Sequence, residues 1–462
     1  MGGWQGAEEV VGPELTVAAA CLLEHISLDL EKAIKAELTI DNPQYVAAKR
    51  YGRWIGKKVK PTLSYYEVVP RGLRFPRGFA NRAVLLCREF MGQDPVLHDL
   101  RRRLDEIEFS FSATLRPYQS EAVTKVCSRS FGVLEAGTGS GKTIMALAVI
   151  AARKQPTLVV VHTKELLYQW RERIEEFLGV VPGLIGDGHY TIAPLSVAIV
   201  NSARKRVAEL APCFGQLIID ECHRVPAALF TDVVNRFDCW YLLGLSATAF
   251  RSDEGMTRLI YWFMGDRIHQ VDQESLAATG AVLRPELVPR ITPFSYAYRG
   301  DYQPLIKALV RHQGRNRLIL DDIIREADQD DSGVLLVVSD RVSHCELFAE
   351  QLERAGMGVA LLTGRMPPEQ RAEVVRQVLG GELKILVATL QLIGEGFDCP
   401  GLSTLFLTTP ITFEGRLLQV LGRIMRPSPG KRAKVFDYID DQLPVLARSA
   451  AVRRRVLADL SA

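Results

Sequence analysis

From Phe131 onward the chain alternates short, almost wholly apolar runs with longer stretches whose apolar residues recur every three or four positions. Residues 131–134, 157–162, 216–219 and 241–245 form one set of apolar runs; 334–338, 358–362, 384–388, 403–407 and 434–438 form a second. Runs rich in Val, Leu and Ile predict strands buried on both faces, as in a parallel sheet. Between them, residues 142–153, 164–177, 341–355 and 368–379 carry the period of amphipathic helices. Alternation of this kind predicts doubly wound α/β domains.

The alternation breaks between residues 272 and 332. Gly280, Pro285, Pro289, Pro293 and Gly300 there precede a polar helical stretch, and the segment reads as a connection between two α/β domains. Residues 1–110 have another texture, a leading helical stretch and then a Gly-, Arg- and aromatic-rich region of short strands. The expected organisation is a smaller N-terminal α+β domain (1–110) followed by two α/β domains (111–280 and 281–462).

Composition narrows the class. A chain of 462 residues exceeds one compact core, and 47% hydrophobic with 24% charged residues is ordinary for a globular protein. The apolar stretch 15–23 is far short of the roughly 20 residues that span a bilayer. It also follows Glu8, Glu9 and Glu14 where a signal peptide carries basic residues. A cytoplasmic or nucleoid-associated, non-membrane chain is expected. The eight cysteines include no Cys-x-x-Cys pair, which predicts reduced and mostly buried thiols. Adjacent Cys222 and His223 are too few ligands for a zinc site.

The chemistry concentrates in two places. Ala136-Gly137-Thr138-Gly139-Ser140-Gly141-Lys142-Thr143 follows a predicted strand and opens a predicted helix. Small residues let backbone N–H groups approach a phosphate chain, and a helix N-terminus adds favourable field. Lys142 suits the β and γ oxygens of ATP, and the Thr143 hydroxyl suits Mg²⁺. The second place is Asp220-Glu221-Cys222-His223, delivered at a strand's C-terminal end, the edge where doubly wound sheets bind ligands. Asp220 is expected to hold Mg²⁺ and Glu221 to polarise the attacking water. Upstream, Arg116-Pro117-Tyr118-Gln119 offers an amide to read an adenine edge, with Arg116 beside it; it is equally an ordinary helix start.

These motifs, in this order, resemble superfamily 2 helicases and translocases from Leu115 to Tyr438. Further matching elements are Leu245-Ser246-Ala247-Thr248, Ala388-Thr389, Gly394-Glu395-Gly396-Phe397-Asp398 and Gln419-Val420-Leu421-Gly422-Arg423-Ile424-Met425-Arg426. Residues 166–177, with Gln169 and Trp170, look like the family's first strand-contacting region. Residues 245–255 and Val337-Val338-Ser339-Asp340-Arg341-Val342-Ser343-His344 look most like the XPB-like and phage UvsW-like DNA branch. Two departures stand out. Arg251-Ser252-Asp253 replaces that branch's Arg-Glu-Asp triplet, and residues 272–332 leave little room for its helical thumb.

The resemblance implies two RecA-like domains with ATP and Mg²⁺ bound between them, the second domain supplying Arg423 and Arg426 in trans. A solvent-facing role for both arginines, three apart on one helical face, fits the spacing equally. It further implies strand contact by Thr389, nucleotide and domain links by Gly396 and Asp398, and coupling by Ser246, Thr248 and Gln419. Backbone-directed grip makes the expected partner DNA of any sequence, single-stranded, duplex or branched. A defence or restriction motor working with a nuclease, or an RNA helicase, are the alternatives.

The net charge of +3 hides a basic block, since residues 49–103 hold fourteen Lys and Arg against four Asp and Glu. Its densest part, Lys49-Arg50-Tyr51-Gly52-Arg53-Trp54-Ile55-Gly56-Lys57-Lys58-Val59-Lys60, interleaves six cations with two aromatics. Lys49, Arg50, Arg53, Lys57, Lys58 and Lys60 suit phosphates, and Trp54 suits a base or sugar face. Arg71, Arg74, Arg77 and Arg82 extend the bias. A solvated basic face over a small core is the competing expectation.

Overall fold

The computed structural model describes residues 12–50, 54, 56, 59–137, 139–223, 227–247, 254–271, 276, 280, 282–329, 333–394, 399, 401–411, 414–428 and 430–461. The chain forms two compact units, Met1–Glu135 with Thr143–Gln270, and Ala136–Lys142 with Val271–Ala462. No helix among the described residues is long and apolar enough to cross a membrane. None of the eight cysteines is in a disulfide, and six of them are buried.

The first unit opens on strands, not on the helix its leading segment predicts. β1 (Glu14–Val17) and β2 (Ala20–Glu24) alternate half-buried and buried positions, the period of a one-faced strand. Their register pairs Leu15 with Leu23 and Val17 with Cys21. β3 (Thr39–Asp41) and β4 (Thr62–Ser64) make a separate two-stranded ribbon. β5 (Glu67–Val69), β6 (Gly72–Pro76) and β7 (Val96–Asp99) complete a five-stranded sheet of order β5-β6-β2-β1-β7. Helix Leu28–Glu37 starts where the Ser27 hydroxyl accepts from the Leu30 amide at 3.3 Å. Helix Ala80–Met91 ends on Gly92, whose φ of 69° is the left-handed value that terminates helices. Leu30 and Ile34 of the first helix, and Ala83 and Leu86 of the second, are buried in the core.

Among the described residues, the N-terminal region shares its core with the α/β part of the same unit. Leu15, Leu23, Ile34, Phe75 and Phe79 belong to one hydrophobic cluster with Leu217, Cys239, Trp262, Phe263 and Met264. Arg77, only 1% exposed, donates through Nη1 to the carbonyl of Cys239 at 2.7 Å. Tyr65 packs against the rings of Trp262 and Phe263, with centroids 5.5 and 6.1 Å apart. Closest of all is Gly78, where a Cβ would lie 2.3 Å from the Gly265 nitrogen and 2.4 Å from the Tyr261 oxygen.

The main sheet of this unit contains β8 (Phe131–Ala136), β9 (Thr157–Val161), β10 (Gly183–Gly186), β11 (His189–Tyr190), β12 (Leu195–Ile199), β13 (Gln216–Ile219), β14 (Tyr241–Ser246) and β15 (Arg267–Val271), in the order β11-β10-β12-β9-β13-β14-β8-β15. The consecutive pairs from β10 through β12, β9, β13 and β14 to β8 are all parallel. Every residue of β9 and β13 is buried, as two-sided burial requires.

The second unit holds a six-stranded sheet of β16 (Glu286–Ile291), β17 (Val334–Ser339), β18 (Val359–Leu362), β19 (Ile385–Thr389), β20 (Leu402–Leu407) and β21 (Lys434–Ile439). Its order is β16-β21-β20-β17-β19-β18, with every pair parallel. The segment expected to be a connection therefore contributes a strand. Pro289 broke its pattern, yet β16 is an edge strand, where proline's missing N–H costs no ladder bond. The polar stretch that follows is helix Gln313–Ala327, and four of its polar residues, Arg315, Asn316, Asp322 and Glu326, are buried. Arg315, wholly buried, donates to Asp440 Oδ1 at 2.8 Å and to the Thr408 carbonyl at 2.7 Å. Asp322 takes a bidentate pair from Arg290 at 2.9 Å, and Glu326 accepts from Lys434 at 2.9 Å.

The Gly78 contact gives a direct test of N-terminal docking. Gly78→Ala forces backbone apart and should cost about 1–3 kcal/mol, the usual range for overpacking. Thermal unfolding should occur at lower temperature, with residues 12–99 becoming more sensitive to limited proteolysis. Unchanged stability would mean that the close approach is not held in solution.

Candidate nucleotide site

The parallel register brings three strand ends to one edge of the eight-stranded sheet. Ile219 of β13 pairs with Gly244 of β14, and Leu245 and Ser246 of β14 pair with Leu134 and Glu135 of β8. The chain leaves β8 into the loop expected to bind phosphate and re-enters a helix at Lys142. Gly139 and Gly141 have φ of 89° and 82°, values that demand glycine. The Ser140 amide donates to the Gly137 carbonyl at 3.2 Å, and Lys142 Nζ donates to the Ala136 carbonyl at 3.1 Å. Thr143 is half-buried in the first turn of helix Lys142–Arg153.

Past β13, Asp220 is 5% exposed and hydrogen-bonded through both oxygens. Oδ2 accepts from the indole Nε1 of Trp170 at 2.8 Å, and Oδ1 accepts from the Glu221 amide at 2.9 Å. Glu221 itself adopts φ of 47°, a left-handed conformation that an L side chain occupies only at a cost. Its Oε2 lies 3.3 Å from His223 Nδ1, and the same nitrogen lies 2.9 Å from Ser246 Oγ. The Cys222 amide donates to the Leu245 carbonyl at 3.0 Å, tying this turn to the end of β14. Asp220, Glu221 and Ser246 are thus gathered with two residues of no assigned role, His223 and Trp170.

Neither partner was legible from spacing. His223 stands in the Asp-Glu-Cys-His run without a role of its own, and its adjacency to Cys222 raises only the question of zinc; among the described residues no group of three or more His, Cys, Asp or Glu is placed to hold a metal. Trp170 lay in a stretch expected to contact a strand, but it is 1% exposed and points at Asp220. The signal available was the stripe Leu167, Trp170, Ile174 and Leu178, which marks the buried face of helix Lys164–Leu178.

Other expected site residues fall out as follows. Gln119 is buried, and its Oε1 accepts from the Arg116 amide at 2.9 Å, closing the start of helix Pro117–Cys127; the Arg116 side chain is exposed. Arg423 lies in helix Glu414–Ile424, but that helix ends before Arg426, so the two do not share a helical face. The Arg426 carbonyl accepts from Lys431 Nζ at 2.7 Å, and burial, then the Arg426 charge, hold the Lys431 ammonium down to about 8. Thr389 closes β19 and is buried. Thr138, Thr248, Gly396, Asp398, Arg53, Lys57 and Lys58 lie outside the described residues, as do the side chains of Arg50 and Gln419 and the triplet 251–253. Lys49, Trp54 and Lys60 are exposed, Trp54 at 86%. Arg77 is buried, Arg74 pairs with Glu67 and Arg82 pairs with Glu37.

In the second unit His344, from the motif after β17, is a fixed neutral imidazole. Burial first, and the Arg315 charge second, push it down to about 3. Its Nε2 faces the Asn316 Oδ1 acceptor at 3.1 Å, so Nδ1 accepts from Ser339 Oγ at 3.0 Å.

Comparison with known proteins follows the same division. Residues 112–251 match the family model of the Type III restriction enzyme, res subunit, and residues 316–428 match the Helicase conserved C-terminal domain. The DNA 3'-5' translocase XPB2 of Sulfurisphaera tokodaii is 26% identical over 350 residues, covering 68% of this chain and 78% of that protein. Probable helicase D10 of Escherichia phage T5 is 26% identical over 302 residues, covering 65% of each chain. The solved ATP-dependent Type ISP restriction-modification enzyme LlaBIII bound to DNA shares the fold at a TM-score of 0.59 and 14% identity, over 76% of this chain and 30% of its own.

The strained Glu221 backbone yields a prediction separable from chemistry. Glu221→Gly relieves a left-handed residue, offsetting the extra entropy that glycine gains in the unfolded chain by about 1 kcal/mol. The melting temperature should stay at or above that of the parent. A fall of more than about 4 °C would show that the turn carries no strain. With its strand–loop–helix order, its Asp-Glu turn and its two matched domains, the chain carries the domain architecture of superfamily 2 helicases and translocases, two tandem RecA-like α/β domains behind an N-terminal α+β region.

Proposed function

We propose that the chain is an ATP-dependent DNA helicase or translocase that couples hydrolysis of the β–γ anhydride to movement on DNA in repair or recombination. The observation that carries this reading is the Asp220–Glu221 turn. It holds a paired carboxylate and a strained acid at the sheet edge, tied through His223 to Ser246. Such stored strain is characteristic of working sites.

Lys142 and the loop amides would bind the phosphates, and Gln119 with Arg116 the base. Asp220 and the Thr143 hydroxyl would hold Mg²⁺. One carboxylate and one hydroxyl suit this ion, which keeps several waters and takes phosphate oxygens in preference to an all-protein cage. When bound, Mg²⁺ supplies charge neutralisation at the β and γ oxygens. Glu221 would orient water in line with the γ-phosphate. His223 contacts both Glu221 and Ser246, so a shift of either is felt by the other; this supports a coupling role for Ser246, extended by resemblance to Thr248 and Gln419. Arg423 and Arg426 would stabilise charge on the transferring phosphoryl group, with Gly396 and Asp398 linking to nucleotide and Thr389 touching the strand. Similarity to a protein named as a DNA translocase favours DNA over RNA.

The res-subunit match and the restriction enzyme of like fold support a second reading, the motor part of a restriction assembly with a nuclease partner. A neighbouring nuclease gene, and nucleolytic activity only in the reconstituted pair, would favour it.

For turnover, Lys142→Ala and Glu221→Gln should each abolish DNA-stimulated hydrolysis, while Glu221→Gln still binds ATP because the phosphate cradle and Asp220 remain. Arg423→Ala or Arg426→Ala should lower kcat by about 10³-fold or more with little change in ATP affinity, since their charge matters most in the transition state. A variant that raised only KM would lose its assigned role.

For DNA grip, replacing Lys49, Arg53, Lys57 and Lys58 by Ala should flatten the slope of log affinity against log salt by about 3–4 units, as loss of four phosphate contacts requires. Basal hydrolysis without DNA should survive. An unchanged slope in the folded variant would return this stretch to a solvated surface.

A further inference from the structure

We infer that Trp170 is the positioning residue for Asp220, fixing the carboxylate in the rotamer needed to hold Mg²⁺. The inference rests on the nucleotide-site reading above and deepens it. The geometry is specific. The indole Nε1 donates to Asp220 Oδ2 at 2.8 Å with both side chains buried, across fifty positions of sequence. An indole N–H is a donor only, and a carboxylate oxygen is its natural acceptor. Asp220 receives a donor on each oxygen, the indole on Oδ2 and the Glu221 amide on Oδ1. Together they fix the plane of the carboxylate.

The indole is itself held rigidly. Trp170 sits on helix Lys164–Leu178, which is capped by Thr163 at one end and by left-handed Gly179 at the other. Leu167, Ile174 and Leu178 bury the same face beside it. The Asp220 amide donates to the Val160 carbonyl at 2.9 Å, so the backbone under the carboxylate is fixed to β9 as well. A carboxylate oriented from behind by a rigid donor is how outer partners commonly tune metal ligands, and removing one typically costs 10–100-fold in metal affinity.

Trp170→Phe keeps an aromatic ring at this buried position, with some loss of volume, and deletes the N–H. In the full chain it should raise the Mg²⁺ concentration for half-maximal DNA-stimulated hydrolysis about tenfold. At saturating Mg²⁺ the KM for ATP should change less than twofold, and the Trp170→Phe, Asp220→Asn double variant should be no worse than Asp220→Asn alone. The second readout needs no turnover. In ¹⁵N-indole spectra of the nucleotide-free protein, one of the five tryptophan signals should vanish in Trp170→Phe and move in Asp220→Asn. A Mg²⁺ requirement within twofold of the parent, or an indole signal unmoved by Asp220→Asn, would reduce Trp170 to a packing residue. If Trp170→Phe does not fold, the parent and Asp220→Asn spectra decide alone, because movement of one indole signal is expected and movement of none overturns the bond. Full turnover by Asp220→Asn would instead sink the nucleotide-site reading, whatever the indole signal does.

Discussion

Parallel pairing of β13, β14 and β8 is the constraint on which the candidate site depends. The register Ile219 to Gly244 and Ser246 to Glu135 puts the chain's exit from each strand at one edge. A slip of one residue would turn every side chain of a strand to the opposite face. Burial on both faces makes such a slip costly, because β9 and β13 have no polar face to expose. The core therefore fixes where Asp220 and Ser246 emerge, and hydrogen bonds from Trp170 and His223 then fix how they point.

Local apolar runs made most of the two α/β sheets legible in the sequence. Residues 157–162 or 334–338 carry no other message than a strand wetted on neither face. What escaped was structure whose sequence signal is contradicted locally and rescued by context. β16 contains Pro289, tolerable because it lies at an edge. β10 begins and ends in glycine, and at Gly183 a Cβ would meet the Thr191 carbonyl at 2.4 Å. β1 and β2 alternate on a period of two over so few residues that the run from Leu15 to Leu23 read as one apolar stretch. Helix Gln313–Ala327 looked like a solvated connector because its inward face carries Arg315, Asn316, Asp322 and Glu326. Each has a partner contributed by a different element, at Asp440, His344, Arg290 and Lys434.

Those buried pairs make the second unit specific more than they make it stable. Two charges removed from water recover their hydration cost only with good geometry and further hydrogen bonds, and apolar replacements are often as stable. Arg315 meets that condition, with Asp440 on one side and the Thr408 carbonyl on the other. Arg453 meets it in part, with Nε on Asp437 and Nη2 on the Tyr438 carbonyl, while its buried Nη1 has no partner among the described residues. Such groups tolerate one arrangement of strands and helices and penalise others, because any slip leaves a charge buried alone. The neutral His344 adds a second lock, its two nitrogens committed to Asn316 and Ser339.

The site itself was legible to the extent that its chemistry is contiguous. The loop 136–143 and the pair Asp220-Glu221 are runs, whereas Trp170 and Ser246 are joined to them only by folding. The basic N-terminal block shows the opposite failure, a contiguous signal that folding thins. Arg77 is consumed in docking to Cys239, and Arg74, Arg82, Arg88, Arg101 and Arg102 face Glu67, Glu37, Asp94, Asp99 and Asp238. Counting cations along residues 49–103 therefore overstates the field the surface presents. Among the described residues of this stretch, Arg71 and Arg103 stand outside the ion pairs, as do Lys49 and Lys60 with the exposed Trp54 between them. Attraction of a polyanion by the described residues rests on such cations, because exposed pairs cancel within a Debye length of about 10 Å while an unpaired cation does not.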